Sequence, residues 1–321
     1  MIRYIRWVFL IVLLGLAQAG VPAVVKAQNP PAASQIQADS EGDNQKIDIL
    51  GHLANSDEIE TPFGPIHLPH WEPIRIGNLA IDLSPTKHTI FVLLAAILVA
   101  IAFIWTGQSV QKAQRQGRAP RGFASAMEAT ALWARQDIVL PNAGPSAARY
   151  APYLLTLFFF IMVMNLLGIF PWGVTPTGNL SVTAALALVA FLVIEISGMK
   201  KLGVKGYLGT IFFLPHGLPG GVAGAILKPI MLIIMTPIEI IGKLAKPFAL
   251  AIRLFANMTA GHVLVLALIG LTFLFKSYSV GVAASVMATG IMVLEVFVAM
   301  LQAYVFALLT AVFIGLISES H

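Results

Sequence analysis

Between Leu250 and His262 the chain reads Leu-Ala-Ile-Arg-Leu-Phe-Ala-Asn-Met-Thr-Ala-Gly-His, placing one arginine, one asparagine and one histidine inside a long apolar region. A guanidinium is effectively never neutral in a protein, so Arg253 cannot escape burial by losing its proton. If the region lies in a membrane, holding that charge at mid-depth costs roughly 3 kcal/mol on insertion scales. Such a cost is tolerable only where the charge faces water, an anionic partner or both. The alternative is a side chain that snorkels to the interface, as expected of Lys243 and Lys246. From this stretch alone both readings stand.

The other costly groups of the last third are Glu239, Glu295 and Gln302. Apolar residues run from about Ala225 to Phe275 and, after the turn Lys276–Ser279, on to Ile317. A helix from Pro237 to Leu274 would be roughly 57 Å long, nearly twice the ~30 Å hydrocarbon thickness. Neither run holds a polar connector that would divide it into two ordinary spans. A hairpin of two steeply tilted helices over about 225–318 is the economical solution, with Pro247 and Gly290 as the points where one of them could break.

Such a hairpin sets the polar groups at matching depths. With the turn centred between Ser277 and Tyr278, Arg253 lies about 24 residues before it and Gln302 about 24 after. His262 lies about 15 before and Glu295 about 17 after, and Glu239 comes level with the polar tail Ser318–His321. Arg253 and Asn257 share a helix face, His262 points to the other side, and Glu295 and Gln302 share a face. An imidazole titrates near neutrality, so His262 and a carboxylate at its depth can exchange a proton. A buried structural ion pair would use the same two groups, and at this level both descriptions hold.

Composition states what surrounds these residues. The chain has 321 residues, is 58% hydrophobic and 11% charged, and has a mean hydropathy of +0.84. A soluble domain would carry about twice that charge, so the expected class is an all-α polytopic membrane protein: transmembrane helices plus the long, steeply tilted C-terminal hairpin. Cysteine is absent, which excludes disulfides and thiolate metal sites. No basic stretch is interleaved with aromatics in the manner of a nucleic-acid surface. An intramembrane enzyme would need a nucleophile–base pair or a metal motif, and neither His-Glu-x-x-His nor Gly-x-Ser-x-Gly occurs. A secondary transporter would show two related halves, whereas here the polar groups concentrate in the last third.

Residues 1–27 read as a secretory signal. Arg3 and Arg6 precede an apolar core, and small-residue sites follow at Ala17-Gln18-Ala19 and Val25-Lys26-Ala27. Residues 28–86 form a polar extracytoplasmic extension that ends in short extended pieces around Pro62–Pro73. His67, His70 and Trp71 lie there and read as solvated loop residues, with no metal site expected. Residues 87–321 form the membrane domain. Its first span is Thr89–Thr106, and the basic segment Gly107–Arg149 is cytoplasmic by the positive-inside rule. Within that segment Phe123–Val139 has the spacing of a helix lying along the membrane surface. Tyr150–Phe170 returns across the membrane, with Asn165 expected to make an interhelical hydrogen bond. Leu180–Ser197 crosses inward to Lys200, Lys201 and Lys205, with which Glu195 is expected to pair. Gly206–Gly221, rich in glycine and proline, is expected to be bent or re-entrant.

With these residues in place, the sequence resembles subunit a of the rotary ATP synthase membrane sector. The carrying motifs are Pro237-Ile-Glu239, Lys246-Pro247, Arg253-Leu-Phe-Ala-Asn257-Met with Ala260-Gly-His262, Glu295 with Leu301-Gln302-Ala303-Tyr304, and the tail Ser318-Glu-Ser-His321. Tyr150-Ala-Pro-Tyr-Leu-Leu, Met164-Asn-Leu-Leu-Gly and Gly178-Asn-Leu-Ser add to it, and the resemblance runs from about Thr89 to the C-terminus. Some members carry Glu where His262 stands and His where Glu295 stands. The polar region before Leu83 is longer than in many members.

The resemblance implies a non-catalytic, proton-translocating stator subunit with no active site, metal or cofactor of its own. It implies a pathway through Arg253, Asn257, His262, Glu295, Gln302 and Glu239, in two half-channels that Arg253 separates. The implied partners are the c-ring subunits, the peripheral-stalk b subunits, the remaining ATP synthase subunits and membrane lipid. The implied location is a bacterial inner membrane, with the N-terminus outside after signal cleavage and the C-terminus in the cytoplasm.

Overall fold

The structure, a computed structural model, describes residues 58–61, 64–68, 74–76, 79–81, 86–144, 147–170, 175–212 and 222–319. The expected signal segment, His70, Trp71, Pro215, Pro219 and the last two residues of the polar tail lie outside the described residues. Before the membrane domain stand two separate antiparallel hairpins: β1 (Glu58–Thr61) with β2 (Gly64–His67), and β3 (Ile74–Ile76) with β4 (Leu79–Ile81). These are short extended pieces near Pro62–Pro73, as expected: β2 lies within that stretch, β1 before it, and β3 and β4 after it. Among the described residues, the elements that follow are all helical.

Helix α1 (Lys87–Arg115) is longer at both ends than the span Thr89–Thr106. Thr86 caps it, its hydroxyl accepting from the Thr89 N–H at 3.4 Å, and Lys112 and Arg115 sit where the helix dipole favours cations. Helix α2 (Phe123–Ala134) continues into a π-helical turn (Arg135–Val139) and a short turn, Leu140–Asn142. Pro141 has no N–H to give the Asp137 carbonyl. Asn142 Nδ2 compensates by donating to the Ile138 carbonyl at 2.8 Å and the Asp137 carbonyl at 3.5 Å.

Helix α3 (Ala147–Ile169) is the central rod, buried along most of its length. Helix α4 (Leu180–Ile211) is capped by Asn179, whose side chain accepts from the Ser181 N–H at 2.8 Å. It stays helical through Gly206 and bends instead at Gly203, where φ is 71° and ψ is 164°, a conformation open to glycine and strained for other residues. Helices α5 (Val222–Phe275) and α6 (Tyr278–Glu319) make the expected hairpin, with Lys276 at φ 47° in the tight connection. At 54 residues α5 spans roughly 80 Å. It runs unbroken through Pro229, Pro237 and Pro247, and α6 through Gly290.

Among the described residues five helices (α1 and α3 to α6) are long and apolar enough to cross a membrane. The protein is thus an all-α polytopic membrane protein with small β hairpins ahead of it. α3 packs between α1 and α6, while α5 lies on α6 and α4. Along α6, Ala299, Ala303, Ala307 and Ala311 recur once per turn and are all essentially fully buried. Small side chains allow the backbone closeness that holds helices together where lipid removes the hydrophobic drive. Buried residues of α1, α3, α4, α5 and α6 form one continuous core, including Val99, Phe159, Ala190, Leu254 and Phe306.

The hairpin register is open to test because the chain has no native cysteine. Cysteines replacing Asn257 and Gln302 should be joined in high yield by a short bifunctional thiol reagent, whereas cysteines replacing Asn257 and Val286 should not. Equal yields from the two pairs would contradict the register.

Candidate functional site

Near the hairpin turn, α5 presents His262 to Glu295 of α6, with Nδ1 3.5 Å from Oε1. Both atoms are sealed from solvent, and the Met258 backbone one turn earlier also reaches the ring. Gly261 makes the approach possible, since a Cβ there would overlap the Glu295 carboxylate. The other ring nitrogen of His262 reaches out of the hairpin. Nε2 lies 3.0 Å from the Gly168 carbonyl oxygen at the end of α3 and 3.1 Å from the Thr175 hydroxyl in the α3–α4 connection. The imidazole is therefore held between three helices and a loop.

One layer deeper, Asn257 Nδ2 donates to Gln302 Oε1 at 2.9 Å. The equal-rise estimate set Gln302 level with Arg253, and the structure moves its partner one helical turn toward the hairpin turn. His262 and Glu295 meet as the spacing predicted. Behind them Asn165, fully buried on α3, donates through Nδ2 to the Ala299 carbonyl at 3.3 Å. Its Oδ1 accepts from the Thr177 hydroxyl at 2.7 Å. Asn165 thus makes the interhelical bond expected of it, which ties α6 to α3 one turn from Glu295.

Arg253 occupies the exposed face of α5 together with Ala256, Asn257 and Ala260, while Leu250, Leu254 and Met258 face the core. Among the described residues no hydrogen bond or ion pair engages its guanidinium. Its neighbours on that face are small, so a partner helix could approach the charge closely. Arg253 lies nine residues, about 13 Å, from His262 and fourteen residues, about 21 Å, from Glu239.

Glu239 lines a cavity of about 190 Å³ between α4, α5 and the end of α6, shared with Glu195, Lys243 and Lys246. Glu195 pairs with Lys243 of α5, Oε2 to Nζ at 3.9 Å. Its expected pairing with Lys200, Lys201 or Lys205 is thereby corrected: the facing helix offers a cation at the same depth, whereas those lysines lie farther along α4. Lys243 Nζ also donates to the Tyr207 hydroxyl at 3.2 Å and the Thr210 hydroxyl at 3.4 Å. Lys246 lies over the Phe313 ring, 4.8 Å from its centroid. The side chains of Ser318 and Glu319 are outside the described residues, so the match of Glu239 with the polar tail is not among these contacts.

Sequence reasoning passed over Thr175, Thr177, Tyr207 and Thr210, and it met Gly168 only as part of the Met164-Asn-Leu-Leu-Gly motif, with no role. Thr175 and Thr177 carried the one available signal, two hydroxyls in an otherwise uncharged turn.

A family model described as ATP synthase A chain matches residues 89–315. The chain is 43% identical over 311 residues to ATP synthase subunit a 2 of Chlorobaculum tepidum, covering 94% of this chain and 82% of that protein. It is 41% identical over 314 residues to ATP synthase subunit a of Chlorobium phaeobacteroides, covering 96% and 86%. With ATP synthase subunit a of Myxococcus xanthus it shares 42% identity over 284 residues, covering 81% and 88%.

A methyl group at Gly168 would run into both the side chain and the backbone of Thr175, neither of which can swing aside cheaply. Gly168→Ala should cost about 1–3 kcal/mol, the usual range for overpacking. A lowered thermal midpoint in detergent is expected, and an unchanged midpoint would contradict the close approach of the connection to α3.

Proposed function

The chain belongs to the ATP synthase subunit a family, and from that premise we propose that α5 and α6 form two offset aqueous half-channels against a rotating c-ring, with Arg253 as the barrier between them. As a family member it is a proton-translocating stator subunit, a multi-pass membrane protein that works with the other ATP synthase subunits. The observation that carries the finer reading is the position of Arg253. It is a permanent charge on an uncovered face of α5, between a polar cluster at one end and the Glu239 cavity at the other.

Protons enter from the outside near Asn257, His262, Glu295 and Gln302 and protonate a ring carboxylate. After nearly a full turn of the ring the proton leaves near Glu239 toward the cytoplasm. The positive field of Arg253 favours the ionised ring carboxylate, which promotes release, and it repels protons that would leak straight across. The small residues around Arg253 let a ring helix come close. The b subunits pack elsewhere on the same membrane domain.

In this orientation the N-terminus is extracytoplasmic after signal cleavage, and the membrane is a bacterial inner membrane. Five crossings then place the C-terminus in the cytoplasm, and the basic segment containing α2 lies inside, in keeping with the positive-inside rule.

Arg253→Ala should abolish proton-driven ATP synthesis in membranes where the complex still assembles. Arg253→Lys should lose most of it, because an ammonium can be neutralised in so apolar a place. Normal synthesis by the alanine variant would refute the barrier role. Deleting residues 28–60 should leave proton flow intact, and loss of flow in an assembled complex would show that the extension takes part.

A further inference from the structure

We infer that the seam between α1, α2 and α3 binds one phospholipid whose headgroup carries both a phosphate and a primary amine, as phosphatidylethanolamine does. The site stands apart from Arg253 and from both polar regions of the hairpin, and it needs no particular proton path.

A cavity of about 380 Å³ lies in that seam. Its size is within the roughly 300–1,000 Å³ range of sites that take organic ligands. Along α1 its wall runs from Ala100 to Gln111, eleven residues or about 16 Å, so the space is long. The end remote from the basic terminus of α1 is apolar. Ala100 and Ile104 of α1 line it there, with Met127 of α2 and Leu155 of α3, the last about 12 Å from the start of its helix. Partway along stands Thr106, a buried side chain whose hydroxyl is shut off from solvent and has no hydrogen-bond partner.

The other end is charged. Glu128 and Arg135 both line the cavity, seven residues or about 10 Å apart along one side of α2. They do not pair with each other, and among the described residues no hydrogen bond or ion pair engages either one. Gln111 lies at the same end of the wall, next to Lys112 and three residues short of the last turn's Arg115 region.

This pattern selects the occupant. An acyl chain matches the long apolar part, whose burial drives binding. A guanidinium can give a phosphate two parallel N–H bonds, so Arg135 suits the phosphodiester. Glu128 repels a purely anionic headgroup, whereas an ammonium answers it with N–H donors. Phosphatidylethanolamine joins phosphate and ammonium through a short linker and so meets both charges at once. A fatty acid would bring a second carboxylate and leave Glu128 unanswered. A partner helix is 10–12 Å wide with its side chains, and α1 already packs against both α2 and α3, so the seam is too narrow to admit one. The bound lipid also bears on the hairpin, because Trp133 of α2 stacks on Tyr304 of α6 with ring centroids 5.8 Å apart.

The test uses the intact complex in phosphatidylcholine vesicles containing an increasing share of phosphatidylethanolamine with a diazirine in one acyl chain. Labelled residues are mapped by mass spectrometry, with Ile101 on the exposed face of α1 as the control for surrounding lipid. Label at Ile104, Met127 and Leu155 should saturate while label at Ile101 rises in proportion to the lipid share. Unlabelled phosphatidylethanolamine should compete better than phosphatidylglycerol. Glu128→Gln should erase that preference, and Arg135→Gln should cut the saturable label by roughly 10-fold, as for a lost charge-assisted pair. Non-saturating label throughout would reduce the seam to ordinary lipid contact and overturn the inference. Label at Ile101 with none in the cavity would overturn it too, by showing that another subunit covers the seam. Saturable label that Arg135→Gln leaves unchanged would overturn the headgroup assignment.

Discussion

Arg253 is a cation that cannot be discharged, standing on an open helix face with no partner among the described residues of its own chain. Such a charge at membrane depth is costly unless something outside the chain answers it. The rest of the membrane domain is arranged to keep that face in place and open. Leu250 and Leu254 on the opposite side of α5 belong to the core that also holds α3 and the alanines Ala303, Ala307 and Ala311 of α6. Very little of the most apolar part of α5 is covered within the chain. Members of this family work with the other ATP synthase subunits, and α5 leaves such an exposed, locally charged face.

The two polar regions on either side of Arg253 differ in construction. Toward the hairpin turn, the groups are threaded through four segments of chain: His262 on α5, Glu295 on α6, Gly168 on α3, and Thr175 in the connection that follows. There the ring of His262 is contacted from three other segments of chain. At the other end, Glu239 lines an open cavity beside a looser ion pair, Glu195 with Lys243.

Much of this was legible in residue spacing. Two apolar runs too long for upright spans required tilted helices, and counting from the turn set His262 and Glu295 at one depth. The same count put Gln302 with Arg253, and the structure pairs it with Asn257. Equal rise along parallel axes is the assumption that failed, since a long side chain and crossing helices easily absorb one turn. Pro247 gave no break: α5 stays helical through it, as helices in membranes can. Gly168 could not be found from sequence, because it contributes a backbone oxygen, which carries no residue signature. Glu195 was assigned to lysines close in the chain when its partner lay 48 residues away on another helix.

The most direct measurement is the distance, in the assembled complex within a membrane, between the Arg253 guanidinium and the nearest ring carboxylate. A ring carboxylate that comes within about 4–6 Å of the guanidinium, near enough for its charge to be felt, is the expected result. A guanidinium engaged instead by lipid headgroups, with every ring carboxylate remote from it, would contradict the barrier role.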